Sequence, residues 1–208
     1  MDYLVTMTTH VPDGTSEDTV QETRTREAVR SRQLAAQGHL LRLWRPPLQP
    51  GEWRTLALFV AADADQLEKV LAGMPLRVWR NDEVTPLAPH PNDPAMRART
   101  GVNDRSLSTG TGDPEFLTFF SIVIPDGTSA RAVADADARE AEQAAEWAGK
   151  GNLRRLWALP GAGRALGLWQ ADNPAEMQAI VKSLPLDPWM TTETIPLTPH
   201  PSDPATQS

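Results

Sequence analysis

The chain has 208 residues, which as a prior allows one large domain or two small ones. Its 20 Lys and Arg against 27 Asp and Glu leave a formal charge of -7, the wrong footprint for a phosphate-backbone binder, so no nucleic-acid partner is expected. With no cysteine there are no disulfides, thiol nucleophiles or thiolate metal sites. No apolar run reaches the ~18–20 residues of a membrane span, so a soluble, cytoplasmic protein with no membrane partner is expected.

Tyr3 to Val11 is rich in Thr and Val and predicts a strand, and Pro12-Asp13-Gly14 predicts a turn. Thr15 or Ser16 can cap a helix, with Glu17 and Asp18 in its first turn, where the helix dipole favours them. That helix runs to about Gln37 and stops at Gly38. Leu40 to Trp44 and Arg54 to Ala61 predict two further strands. Ala64 to Ala72 predicts a short helix, with Leu67 and Leu71 one turn apart, and Val78 to Leu87 is extended. The order is strand, helix, strand, strand, helix, strand, the ferredoxin-like split arrangement.

The same text then returns. Val11-Pro12-Asp13-Gly14-Thr15-Ser16 recurs as Ile124-Pro125-Asp126-Gly127-Thr128-Ser129, and Leu40, Arg42, Leu43 and Trp44 recur as Leu153, Arg155, Leu156 and Trp157. Pro89-His90-Pro91-x-Asp93-Pro94 recurs as Pro199-His200-Pro201-x-Asp203-Pro204. A period this long suits a duplicated domain rather than a solenoid. Residues 1–95 form the first repeat and residues 114–208 the second. Residues 96–113, rich in Gly, Ser, Thr, Arg and Asp, read as a linker. One layer of helices leaves the other sheet face bare. The expected fold class is therefore α+β: two ferredoxin-like βαββαβ domains packed sheet to sheet as an intramolecular dimeric α/β-barrel.

These residues resemble the muconolactone delta-isomerase family over nearly all of each half. In the first repeat the markers are Glu27, Gly38, Leu43-Trp44-Arg45, Met74-Pro75-Leu76 and His90-Pro91. In the second they are Glu140, Gly151, Leu156-Trp157, Leu184-Pro185-Leu186, Pro188-Trp189-Met190 and His200-Pro201-Ser202. The resemblance implies the ferredoxin-like unit, homo-oligomers, and movement of a double bond in an unsaturated lactone carrying a carboxylate. The chain departs from the pattern as a fused tandem. It also has Ala57 and Val60 in one third strand and Gly167 and Gln170 in the other, where the family has Ser and Asp. Arg45 meets Ala158 in the second copy.

Seven residues turn a helix by about 700°, so Val20, Glu27 and Leu34 share a face, as do Val133, Glu140 and Trp147. A carboxylate in an apolar stripe is costly unless paired or protonated, which suits either a general base or a structural salt bridge. Period two places Leu40, Arg42 and Trp44 on one strand face. There Arg42, and Arg155 in the other copy, could bind a carboxylate or enolate, with Trp44 and Trp157 either packing on the substrate or, as large rings more commonly do, filling the core; Arg42 could instead neutralise Glu27. Arg45 is a further binding candidate. Prolines on both sides of His90 and His200 hold the chain extended, as for a terminal segment clamped over a neighbouring domain.

No phosphate loop, metal motif or serine-hydrolase elbow is present, so no cofactor and no metal are expected. The expected function is a cofactor-independent isomerase acting on a small-molecule lactone or ketone other than muconolactone, with Glu27 or Glu140 carrying the proton. The alternatives are a cofactor-free cyclase or monooxygenase, or a non-catalytic binding or scaffold protein.

Overall fold

The computed structural model describes residues 1–97 and 114–206; most of the expected linker, 98–113, lies outside the described residues. Each repeat runs strand, helix, strand, strand, helix, strand, as the patterning predicts. The first comprises β1 (Asp2–Thr9), α1 (Glu17–Ala36), β2 (Leu40–Arg45), β3 (Arg54–Val60), α2 (Ala64–Ala72) and β4 (Arg80–Pro89). A single helical turn, α3 (Pro94–Arg97), follows. The second comprises β5 (Glu115–Ile122), α4 (Ala130–Gly149), β6 (Leu153–Ala158), β7 (Arg164–Gln170), α5 (Pro174–Lys182) and β8 (Met190–Pro199).

Local chemistry sets these boundaries. Ser16 Oγ accepts the Thr19 amide at 3.2 Å and caps α1, and Asp63 Oδ1 accepts the Gln66 amide at 2.8 Å and caps α2. Ser129 and Asn173 do the same for α4 and α5. Past α1 the chain reverses through Gly38 at φ +74°, the left-handed region that a side chain disfavours. Ahead of β4, residues Pro75–Trp79 form a 3-10 turn where sequence reading started the extended segment at Val78.

By contact, the chain divides into two units that exchange their tails. Residues 1–87 gather with 198–206 in the first, and residues 88–97 with 114–197 in the second. In the first unit the strands are ordered β4-β1-β3-β2, all antiparallel, and Thr198 and Pro199 of β8 pair with Arg45 and Trp44 of β2. In the second the order is β8-β5-β7-β6, and Ala88 and Pro89 of β4 pair with Ala158 and Trp157.

Each unit buries its own core between the helices and one sheet face. In the first, Tyr3, Val5, Ala57 and Phe59 meet Leu34, Leu67 and Leu71. In the second, Phe116, Phe120 and Trp169 meet Met177, Ile180 and Val181. The face that α1 turns inward is less apolar than its spacing suggested: with Leu34 it buries Thr23 and Ser31. No helix of the described residues is long and apolar enough to cross a membrane.

Candidate functional site

A cavity of about 340 Å³ opens in the first unit, and Glu27 stands in its wall. The helix face explains its position: Glu27 lies one turn from Thr23 and one from Ser31, with hydroxyls rather than methyls around it. The 3-10 turn and β4 fix its carboxylate. Oε2 accepts the Leu76 amide at 2.8 Å, and Oε1 accepts Arg80 Nη1 at 3.0 Å. Arg80 also pairs with Asp82, which in turn takes Arg77 Nη1 at 3.1 Å. Burial raises the Glu27 carboxyl above its ordinary value of 4.5; the Leu76 amide and the Arg80 guanidinium pull the other way and do not cancel it. A carboxylate held in place and made more basic is equipped to take a proton from carbon.

Four arginines line the cavity with Glu27. Arg24 and Arg32 come from α1, Arg45 from the end of β2 and Arg80 from β4, with Thr9, Thr55 and Trp53 between them. In a chain of net charge -7, such a concentration of guanidinium groups favours an anionic ligand. Met7, Leu43, Met74 and Leu76 add an apolar part, and His200, Pro201 and Ser202, which end the second repeat in sequence but belong to the first unit by contact, also line the cavity.

Two of the sequence-predicted residues, Glu27 and Arg45, thus share one cavity. Arg42 and Trp44 are not in its lining. A β-bulge between Leu40 and Arg42 breaks the strand's alternation, so Leu40 and Leu43 both enter the helix-side core. The single face expected for Leu40, Arg42 and Trp44 does not form. Arg42 instead lies 4.8 Å over the Trp44 ring and pairs with Asp203, Nη2 to Oδ2 at 2.9 Å, both side chains being sealed from solvent. Nor does it neutralise Glu27; Arg80 does, a partner 53 positions away that sequence reading missed.

The second unit repeats the scaffold with different side chains on it. Arg155 lies 4.7 Å over Trp157 and pairs with Asp93 at 3.2 Å. Glu140 accepts the Leu186 amide at 3.0 Å, and burial raises its carboxyl too, helped by Asp137. The positions matched to the first unit's cavity lining differ, however. In matched positions Thr9, Ser31 and Thr55 become Ile122, Ala144 and Ala165, and Arg45 and Arg80 become Ala158 and Met190. Ala144, Ala165, Phe120 and Leu156 join a hydrophobic cluster with Trp169, on which Met190 packs. A lone arginine difference reads as noise; a set of them around one glutamate is the signal that comparing the repeats could have given.

No group of three or more His, Asp or Glu side chains among the described residues could hold a metal ion.

The model of the family described as muconolactone delta-isomerase matches residues 1–93 and again residues 115–203. Muconolactone Delta-isomerase of Cupriavidus pinatubonensis is 32% identical over 90 residues, which are 43% of this chain and 95% of that protein. Muconolactone Delta-isomerase 1 of Acinetobacter lwoffii is 30% identical over 90 residues, 43% of this chain and 91% of its own. Among solved structures, a heme-binding protein from Thermus thermophilus aligns over 96% of this chain and 92% of its own, with a TM-score of 0.60 and 10% identity. A variant of chlorite dismutase from Candidatus Nitrospira defluvii aligns over 95% and 91%, with a TM-score of 0.56 and 13% identity. At such identities the likeness concerns the fold alone, the ferredoxin-like class of dimeric α/β-barrel proteins.

Proposed function

This chain belongs to the muconolactone delta-isomerase family, and from that premise we propose that its first unit is a cofactor-independent isomerase site. The substrate is a small unsaturated lactone or ketone bearing a carboxylate, different from muconolactone. Glu27 takes a proton from the carbon next to the carbonyl. The C–H electron pair moves into the conjugated system and leaves negative charge on the carbonyl oxygen. Protonated Glu27 then returns the proton further along that system. The proton that leaves is the proton that comes back, so the balance needs no oxidant, reductant or group donor. Arg24 and Arg45 are proposed to hold the substrate carboxylate, a role that matches the charge of the wall.

One observation carries this reading: Glu27 shares its cavity with four arginines, whereas the positions matched to Arg24, Arg45 and Arg80 in the repeat of Glu140 are Asp137, Ala158 and Met190. Both glutamates were candidates from sequence; the reading assigns the chemistry to Glu27. Arg42, Arg155, Trp44 and Trp157 serve instead to anchor the exchanged segments through Asp203 and Asp93.

The test is turnover and solvent-deuterium exchange with muconolactone and a panel of carboxylated butenolides. Glu27→Gln keeps the shape and removes the base, with an expected loss of about 10²–10⁴-fold. Glu140→Gln is expected to leave the rate unchanged. Full activity in Glu27→Gln would sink the proposal.

A further inference from the structure

We infer that His200 is a catalytic group of this same site, its Nε2–H donating a hydrogen bond to the oxyanion that forms when Glu27 removes the substrate proton. The inference rests on the isomerase reading above and supplies what that reading lacks, a donor for the developing charge. Oxyanion stabilisation by a fixed donor is commonly among the largest contributions to such reactions.

Three observations converge on the ring. First, its place: His200 and its neighbours Pro201 and Ser202 line the same cavity as Glu27. Second, its fixation: the His200 amide donates to Leu43 O at 2.9 Å, prolines flank it, and three residues on Asp203 is clamped by Arg42 and the Leu43 amide. Third, its tautomer: the Ser202 amide donates to His200 Nδ1 at 3.1 Å, so Nδ1 accepts and the neutral ring carries its proton on Nε2.

The surroundings keep the ring neutral. Burial comes first, and the cations Arg45 and Arg24 add to it, lowering the imidazole to about 4. A neutral imidazole can polarise a carbonyl, and unlike an imidazolium it does not collapse into an ion pair with the Glu27 carboxylate. No proton leaves Nε2 in the step; the hydrogen bond strengthens as the oxygen gains charge and relaxes when Glu27 returns its proton.

His90 is the internal control. Its Nδ1 accepts the Asn92 amide at the same 3.1 Å, so the motif poses both rings alike. The positions that supply Arg24 and Arg45 around His200 are Asp137 and Ala158 in the second unit.

The test uses the full chain with 15N-labelled histidine and 4-hydroxyphenylacetate, a planar probe pairing an acidic hydroxyl oxygen with a carboxylate. NMR of the wild-type protein at pH 7 is expected to show His200 neutral with the proton on Nε2, and the probe is expected to shift that resonance. By calorimetry, His200→Gln is expected to weaken the probe about tenfold or more, the loss of one good hydrogen bond, while His90→Gln leaves binding unchanged. A proton on Nδ1, a cationic His200 at pH 7, failure of the wild type to bind the probe, or equal binding by His200→Gln would each overturn the inference. The NMR result stands without any variant having to fold. Probe binding does not require a base, so a Glu27→Gln protein that binds normally yet turns over at the wild-type rate would overturn the isomerase reading alone.

Discussion

Asp203 accepts Arg42 through Nε at 3.1 Å and Nη2 at 2.9 Å and takes the Leu43 amide at 3.1 Å, closing a contact between residues 161 positions apart. The pair is fully enclosed, and the chain it pins carries His200 into the cavity wall. An ion pair that joins distant parts of the sequence is here the device that completes a site.

Asp203→Asn keeps the size of the side chain and an acceptor for Leu43, but removes the carboxylate charge from beside the buried Arg42. Breaking a buried pair in this way costs about 3–5 kcal/mol. Asp93→Asn is expected to cost less, because the Arg155 side chain is 18% exposed against 1% for Arg42. Urea unfolding of the two variants checks the order; equal losses would show that burial of the arginine does not set the cost.

The acid limb of kcat/KM is expected to follow Glu27. A general base works as the carboxylate, so activity rises with pH through the group's pKa, which burial holds above 4.5. Arg80→Met, the residue found at the matched position of the second unit, removes the cation that opposes burial. The limb is expected to move to higher pH, while Asp82 retains Arg77. Stability has its own sign. A carboxyl raised in the folded state contributes fully below about 4.5, and that contribution is lost as pH rises through the folded value. Rate profiles and melting curves of wild type, Arg80→Met and Glu27→Gln across the acid range test both statements; an unmoved limb in Arg80→Met would refute the first.

Gly167 is the third check. A Cβ built there would overlap the Trp169 indole, whose buried Nε1 has no hydrogen-bond partner among the described residues. Gly167→Ala therefore has to displace a large ring in the second core, and overpacking of this kind costs about 1–3 kcal/mol. In the matched position of the first unit Ala57 already carries its Cβ, and Ala57→Gly is expected to cost about 1 kcal/mol or less through backbone freedom. Calorimetric melting decides; a neutral Gly167→Ala would mean that the ring moves freely.

The element order and the position of Glu27 on α1 were legible because periodicity, caps and repetition are local properties of the chain. Ser16 and Asp63 announce helix starts through their own side chains. The bulge in β2 has no such mark: Leu40-Leu41-Arg42 reads as ordinary strand, and one extra residue reverses which side Arg42 faces. The partners of the charged groups were hidden for another reason. Glu27 with Arg80, and Arg42 with Asp203, meet only through tertiary packing, and spacing says nothing about which cation reaches which carboxylate. The Pro-His-Pro segments suggested a clamp over a neighbouring domain, but not that His200 would share a cavity wall with Glu27.

The exchanged tails also bear on what the fusion permits. Two identical subunits carry one sequence, so a substitution that fills one site fills its twin. A covalent tandem is free of that constraint: Arg80 can stand in one repeat and Met190 at the matched position of the other, because separate codons specify them. Yet the tail with His200 and Asp203 is written in the other half, so the first unit is not complete without residues 198–206. One chain thus carries two different linings on one repeated scaffold.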